Sequence, residues 1–316
     1  MAFTLHELVS KFKLLAKELG RTPTRQEFMA SGISDWQLKS INYTKILKGS
    51  GLESEKNKLF SPEKPKIFLF DIETSPIVAH VWGLYDQNVG INQIVKDWHL
   101  LSWAGKWYGE KEIFYFDQRN SKDLADDKEI LEELKKKLDE ADIVIGHNLI
   151  KFDVKKVNAR FLFHKLKPPV PSRAIDTLRI ARKYFAVTSN KLEFLAEFLK
   201  CKNKKSKHKK FNGHELWMEC LKGNQAAFKE MESYNRMDVI VLEDVYNSLK
   251  AWDKTINFSI FEKDNLCSCG HRHFLSRGHM TTNTGIFKRF SCKKCGKWYS
   301  QKTNLLDKTL RSELLK

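Results

Sequence analysis

The run Ile67-Phe-Leu-Phe70 is apolar without a break and ends on Asp71-Ile-Glu73. A short unbroken apolar run of this kind predicts a strand buried on both faces. Side chains two residues apart project to the same side of a strand, so Asp71 and Glu73 point into one site. Two like charges buried side by side are costly unless a cation compensates them. The plain alternative is a strand running out into solvent, where acids are ordinary. Acids recurring at the ends of later elements favour the cation.

They do recur. Ile143 to Ile145 predict a second buried strand, followed by Gly146-His147-Asn148 in a turn and Asp153 near the start of a helix. Gly146 allows a sharp turn or a close backbone approach. Asp153 could simply satisfy a helix N-terminus. Further on, Phe228–Trp252 reads as one or two helices, in which Tyr234 and Asp238 fall at i and i+4 and so share a face. The bland reading there is one core tyrosine and one surface acid.

The remaining pattern surrounds these motifs. Ile77–Leu84 predicts a partner strand, and His99–Tyr108 and Ile113–Phe116 continue the sheet. Asp123–Glu140 predicts a charged helix with Ile130, Leu131, Leu134 and Leu138 on its buried stripe. Ala174–Leu178 reads as a strand carrying Asp176, and helices follow over 178–184 and 191–200. At the N-terminus, Leu5, Leu8, Val9, Phe12, Leu15 and Ala16 fit one helix, and Thr24 with Glu27 forms a capping box for a second. A third helix begins near Ser34, giving a helix-turn-helix-like unit.

Charge indicates the partner. Lys and Arg number 56 against 39 Asp and Glu, a net +17, which suits a polyanion. No apolar run spans a bilayer and the first residues lack a signal-peptide core, so the expectation is nucleic acid rather than membrane, in the cytoplasm. Residues 202–210 hold six lysines and no acid, ahead of Phe211 and Trp217. Lys204, Lys205 and Lys207 are candidates to track phosphates, or belong to a solvated loop. Residues 256–316 carry 12 basic and 4 acidic residues and four of the six cysteines, Cys267, Cys269, Cys292 and Cys295. In an intracellular protein such a cluster argues for a metal rather than disulfides.

The order of strand-Asp-x-Glu, Gly-His-Asn-x4-Asp and Tyr-x3-Asp across 66–252 resembles the DEDD exonuclease superfamily, in its tyrosine variant. Gly213-His-Glu-Leu-Trp217 and the stretch from Tyr234 to Tyr246 are similar to polymerase-B-like 3′–5′ exonucleases within it. The resemblance implies an α/β fold, an RNase-H-like mixed sheet flanked by helices. It implies that Asp71, Glu73, Asp153 and Asp238 hold two Mg²⁺ or Mn²⁺ ions and that Tyr234 orients the attacking water. Carboxylates are hard oxygen ligands suited to such ions, and two ions about 4 Å apart can activate water and stabilise a leaving oxygen. Asp176 ranks below these as a supporting residue, and His147 and Asn148 are candidates for contacting the strand.

Thr22-Pro-Thr-Arg-Gln-Glu-Phe28 and its neighbours over the first 52 residues resemble the helical repeat appended to homing endonucleases, which implies DNA binding and a bacterial or phage-infected cell. The cysteine pairs resemble a zinc ribbon holding one structural Zn²⁺. The first pair has one intervening residue where two are usual, so His271 or His273 could replace one of its members. Arg277, Lys288 and Arg289 lie between the pairs as nucleic-acid contacts. The expected organisation is a helical DNA-binding domain at 1–55, a linker at 56–65, the exonuclease domain at 66–255, and the ribbon with a basic tail at 256–316. The expected activity is metal-dependent 3′–5′ hydrolysis of DNA to nucleoside 5′-monophosphates, with DNA favoured over RNA and room for a replication or repair partner. The alternatives are a ribonuclease or structure-specific endonuclease on the same site, or a non-catalytic nucleic-acid-binding recruitment protein.

Overall fold

A computed structural model describes residues 3–19, 22–34, 36, 38, 41, 43–52, 65–204, 210–258 and 266–314. The chain divides into two compact units, Met1–Glu63 and Lys64–Lys316. The first contains helices α1 (Leu5–Leu19), α2 (Arg25–Ala30) and α3 (Tyr43–Ser50). Thr24 caps α2 with the reciprocal Glu27 bond that its spacing predicts. Leu8, Phe12, Phe28, Ile33, Leu38 and Ile46 bury together as its core. Among the described residues no helix is long and apolar enough to cross a membrane.

The second unit is built on a five-stranded sheet ordered β5-β4-β1-β6-β7. Its strands are β1 (Ile67–Thr74), β4 (Leu100–Trp107), β5 (Phe114–Asp117), β6 (Ile143–Gly146) and β7 (Arg173–Asp176). β1, β6 and β7 run parallel, and β4 is antiparallel to both β1 and β5. Sheet alternation divides β1 between two cores. Phe68, Phe70 and Ile72 pack with Trp103 against α4 (Lys128–Glu140) and α5 (Asp153–Phe163). Ile67 and Leu69 pack on the other face, with Val241, Leu242 and Val245 of one long helix. Helices α6 (Thr177–Tyr184), α7 (Leu192–Phe198) and α8 (Glu215–Leu221) precede that helix, α9 (Gln225–Leu249).

The predicted partner strand over Ile77–Leu84 is corrected. Only Val78–Ala79 forms a strand, β2, and it pairs with β3 (Ile94–Lys96) outside the main sheet. The two edges of β1 are already taken by β4 and β6, so this apolar segment has no sheet position to fill. The charged helix likewise starts later than Asp123. Asp127 is fully buried at its N-terminus, where it accepts from Leu100 N at 2.7 Å and pairs with Arg160 Nε at 2.8 Å and His164 Nε2 at 2.6 Å.

The C-terminal part of this unit is a three-stranded sheet ordered β10-β9-β8, formed by β8 (Phe274–Thr282), β9 (Gly285–Cys292) and β10 (Trp298–Ser300), followed by α10 (Lys308–Glu313). It is tied to the end of α9, where buried Lys297 donates to Ser268 Oγ at 3.2 Å and Ser268 donates to the Lys250 carbonyl at 3.2 Å.

Candidate active site

Asp71 and Glu73 continue the parity of Ile67 and Leu69, so strand geometry aims them at the face covered by α9. Three polar contacts fix how α9 lies on the sheet. Arg119, held by Asp117, donates to Glu232 at 2.6 Å. Asn235 donates to Asp71, and Lys106 of β4 pairs with Glu243. These contacts span about three turns of the helix and leave it little freedom to slide or rotate. Asp238, one turn beyond Asn235, is thereby set against the strand acids. Carboxylate oxygens of Asp71, Glu73 and Asp238 lie within 4.8 Å of one another, and Asp238 is only 4% exposed.

Asp153 is not a member of that group. It begins α5, is 2% exposed, and accepts from Ile72 N at 3.3 Å. Burial pushes its carboxyl up to about 7. Its own amide and that of Ile72 pull the other way, and the Asp176 charge adds to the rise. Asp176 is buried and accepts from the amides of Asn148, Ile150, Leu178 and Arg179, which makes it the organiser of the β6 and β7 turns. Tyr234 is half-buried, with its ring edge-on to Trp217 at 6.1 Å.

His147 lines a cleft of about 600 Å³ together with Asp71, Asp238, Arg182, Asn190 and Lys191. Its ring nitrogens meet Thr177 Oγ1 and the Asn190 carbonyl, both at 2.9 Å, so it braces the cleft wall. Asn148 takes the left-handed conformation at φ 68 and donates its amide to Asp176. Gly146 is needed for close approach, since a Cβ there would come within 2.9 Å of Leu149. Arg182 and Lys191 are exposed cations in the cleft that sequence reasoning missed. Asn235 was also missed, although it lies inside the Tyr-x3-Asp motif.

Lys204 is exposed, and Lys205 and Lys207 lie outside the described residues. Arg277 and Lys288 are exposed on β8 and β9, and the Arg289 guanidinium stands over Trp298 at 4.9 Å. Among the described residues, Lys204, Arg277, Lys288 and Arg289 do not line the acid cleft.

The thiol sulfurs of Cys267, Cys269, Cys292 and Cys295 all lie within 4.8 Å of one another. Cys267 and Cys295 are 3.4 Å apart, and Cys269 and Cys292 3.7 Å. A tetrahedral zinc with bonds of about 2.3 Å separates its sulfurs by about 3.8 Å, so the donor set fits. The single-residue spacing does not expel either member of the first pair, and neither His271 nor His273 belongs to the cluster. The three carboxylates likewise offer the hard oxygen donors that Mg²⁺ and Mn²⁺ take.

Residues 99–250 match the RNase_H superfamily. The mixed sheet flanked by helices is an RNase-H-like fold. The match begins after β1, so it includes Asp153, Tyr234 and Asp238 but not Asp71 or Glu73. It supports nuclease-type chemistry. The family B DNA polymerase of the hyperthermophilic archaeon Pyrobaculum calidifontis is similar in structure at a TM-score of 0.45 and 12% identity. The alignment covers 64% of this chain and 27% of the polymerase, so this chain spans about a quarter of that protein, and a likeness at this level says nothing of chemistry. No curated protein matches the chain.

Proposed function

We propose that the protein is a divalent-metal-dependent 3′–5′ exonuclease acting on DNA. The observation that carries this reading is the convergence of Asp71, Glu73 and Asp238 within 4.8 Å at the end of a buried strand. These carboxylates, with Asp153 behind β1, are the residues that would hold the metal. When bound, the ions supply electrostatic stabilisation of the phosphoryl group and a more acidic water. Tyr234 would orient the attacking water towards the terminal phosphodiester. A phosphorus–oxygen bond forms to water, the bond to the preceding 3′ oxygen breaks, and that oxygen takes a proton. A nucleoside 5′-monophosphate leaves, and the strand retains a 3′ hydroxyl. Arg182 and Lys191 supply positive charge for the strand phosphates.

One zinc held by the four thiolates stabilises the β8–β10 module, whose Arg277, Lys288 and Arg289 are offered to nucleic acid. The N-terminal helical unit is read as a DNA-binding domain, residues 56–65 as its linker and 66–255 as the exonuclease domain. A 5′-labelled single-stranded DNA and a matched RNA, incubated with Mg²⁺ or Mn²⁺ and resolved by length, test the reading. A ladder shortening from the 3′ end of DNA, absent in Asp71→Ala, is expected. Discrete internal cuts, or no metal-dependent cleavage, would overturn it.

A further inference from the structure

Between β1 and β4 the chain leaves the sheet and returns, and its base is closed beside the acids. Ser75 N donates to the His99 carbonyl at 2.9 Å, His99 N donates to Ser75 Oγ at 2.9 Å, and His99 Nδ1 meets the same hydroxyl at 3.1 Å. Both residues are buried, and Ser75 is two residues from Glu73. Residues 76–98 therefore form one arm rooted at the rim of the acid cluster.

The arm is braced internally. Gln93 donates from Nε2 to the His80 carbonyl at 2.9 Å, accepts from Gly90 N at 2.7 Å, and supplies a carbonyl to His80 N at 2.9 Å. What it presents outward is apolar. Trp82 is 97% exposed, Leu84 90%, Tyr85 85% and Ile91 90%. Four large apolar side chains this exposed within ten residues are more than scattered surface hydrophobics and mark a binding segment.

The occupant follows from the position. Thr74, Ser75 and Pro76 at the root share a cavity with His214 and Trp217, and Trp217 abuts Tyr234. Trp82 lies nine positions after Glu73, so their Cα atoms are at most about 32 Å apart, about the length of nine or ten stacked nucleotides. Asp86, Lys96 and Asp97 leave the arm without an excess of positive charge, so it is not suited to phosphates. Exposed Trp and Tyr rings suit the faces of unpaired bases, which every base offers regardless of sequence.

We propose that this arm stacks the unpaired bases of the strand whose 3′ end enters the Asp71–Glu73–Asp238 cleft. This rests on the exonuclease reading. The arm contributes binding and touches no reacting atom.

The test compares the full chain with the Trp82→Ala/Tyr85→Ala and Trp82→Phe/Tyr85→Phe double variants. Two substrates are used with Mn²⁺: the p-nitrophenyl ester of thymidine 5′-monophosphate, which has no strand to stack, and a single-stranded 20-mer. The alanine variant is expected to hydrolyse the ester at the wild-type rate while its KM for the 20-mer rises about 10- to 100-fold, and the phenylalanine variant to retain most of the affinity. An unchanged KM for the 20-mer overturns the proposal and returns the arm to protein docking. Equal losses on ester and 20-mer also overturn it, because the arm would then act through the fold of the site. If the wild type hydrolyses neither substrate, the exonuclease reading fails by itself. Fluorescence anisotropy of a labelled 20-mer without metal then decides the arm: weaker binding by the alanine variant supports it, and equal binding rejects it.

Discussion

Asn235 Nδ2 donates to Asp71 Oδ2 at 2.8 Å, and Ser102 Oγ approaches Asn235 Oδ1 at 3.4 Å from the strand next door. The amide is fully buried, so the pair links helix α9 to strand β1 at the acids themselves. Asn235→Ala removes this amide from the Asp71 carboxylate, whose orientation is then held less firmly. Loss of a group that orients a metal ligand typically costs 10- to 100-fold in affinity or activity. The half-saturating Mn²⁺ concentration should rise by about that range, read both by calorimetric titration and by activity.

Asp71→Ala and Asp238→Asn should each lower turnover of a DNA 20-mer by at least about a thousandfold while leaving the circular dichroism spectrum unchanged. Retained turnover in either variant would remove the three-carboxylate cluster as the site of chemistry.

Arg182→Ala and Lys191→Ala should raise KM for the 20-mer and weaken its salt dependence, with the ester turned over normally. Each phosphate contact contributes a slope of about 0.7 in a plot of log affinity against log salt for single strands. A slope unchanged in both variants would show that the cleft cations do not meet the strand.

Burial raises the Asp153 carboxyl to about 7, above its ordinary value near 3.8. The folded, metal-free protein therefore holds this proton more tightly than the unfolded chain, and the associated stability is fully present below about pH 4. It is lost as the pH rises through about 7, beyond which the dependence is flat. Metal-free melting midpoints should fall across that window, and Asp153→Asn should flatten the fall.

Arg160→Ala takes the guanidinium from the fully buried Asp127, which keeps the Leu100 amide and His164 among the described residues. Breaking a buried ion pair costs about 3 kcal/mol or more, so the melting midpoint should drop by about 6–12 °C. A drop under about 2 °C would mean that water replaces the guanidinium.

These measurements probe features that differ in how openly the sequence carries them. The apolar run Ile67–Phe70 could hardly be anything but an inner strand, and its parity alone aims Asp71 and Glu73 at one face. The four cysteines were equally legible, because thiols clustered in so short a basic segment have few other uses. The segment 77–84 misled because its apolar residues satisfy a strand pattern, whereas strand formation also needs a free neighbour and β1 had none. Asn235 was invisible for a different reason. A lone amide inside a helix carries no periodic signal, and its value arises only when α9 is laid across the sheet. Asp153 shows the same limit, since the sequence places it at the start of a helix while its distance from the other three acids depends on how α5 packs.

The closure of residues 76–98 at Ser75 and His99 has a consequence for variation. Because both ends of the segment leave through that one pair, residues near its tip can be added, deleted or exchanged without displacing a strand or an acid. The closure entropy of such a loop changes only slowly with its length. Reach and grip can therefore drift among descendants of this chain while the chemistry at the root stays fixed.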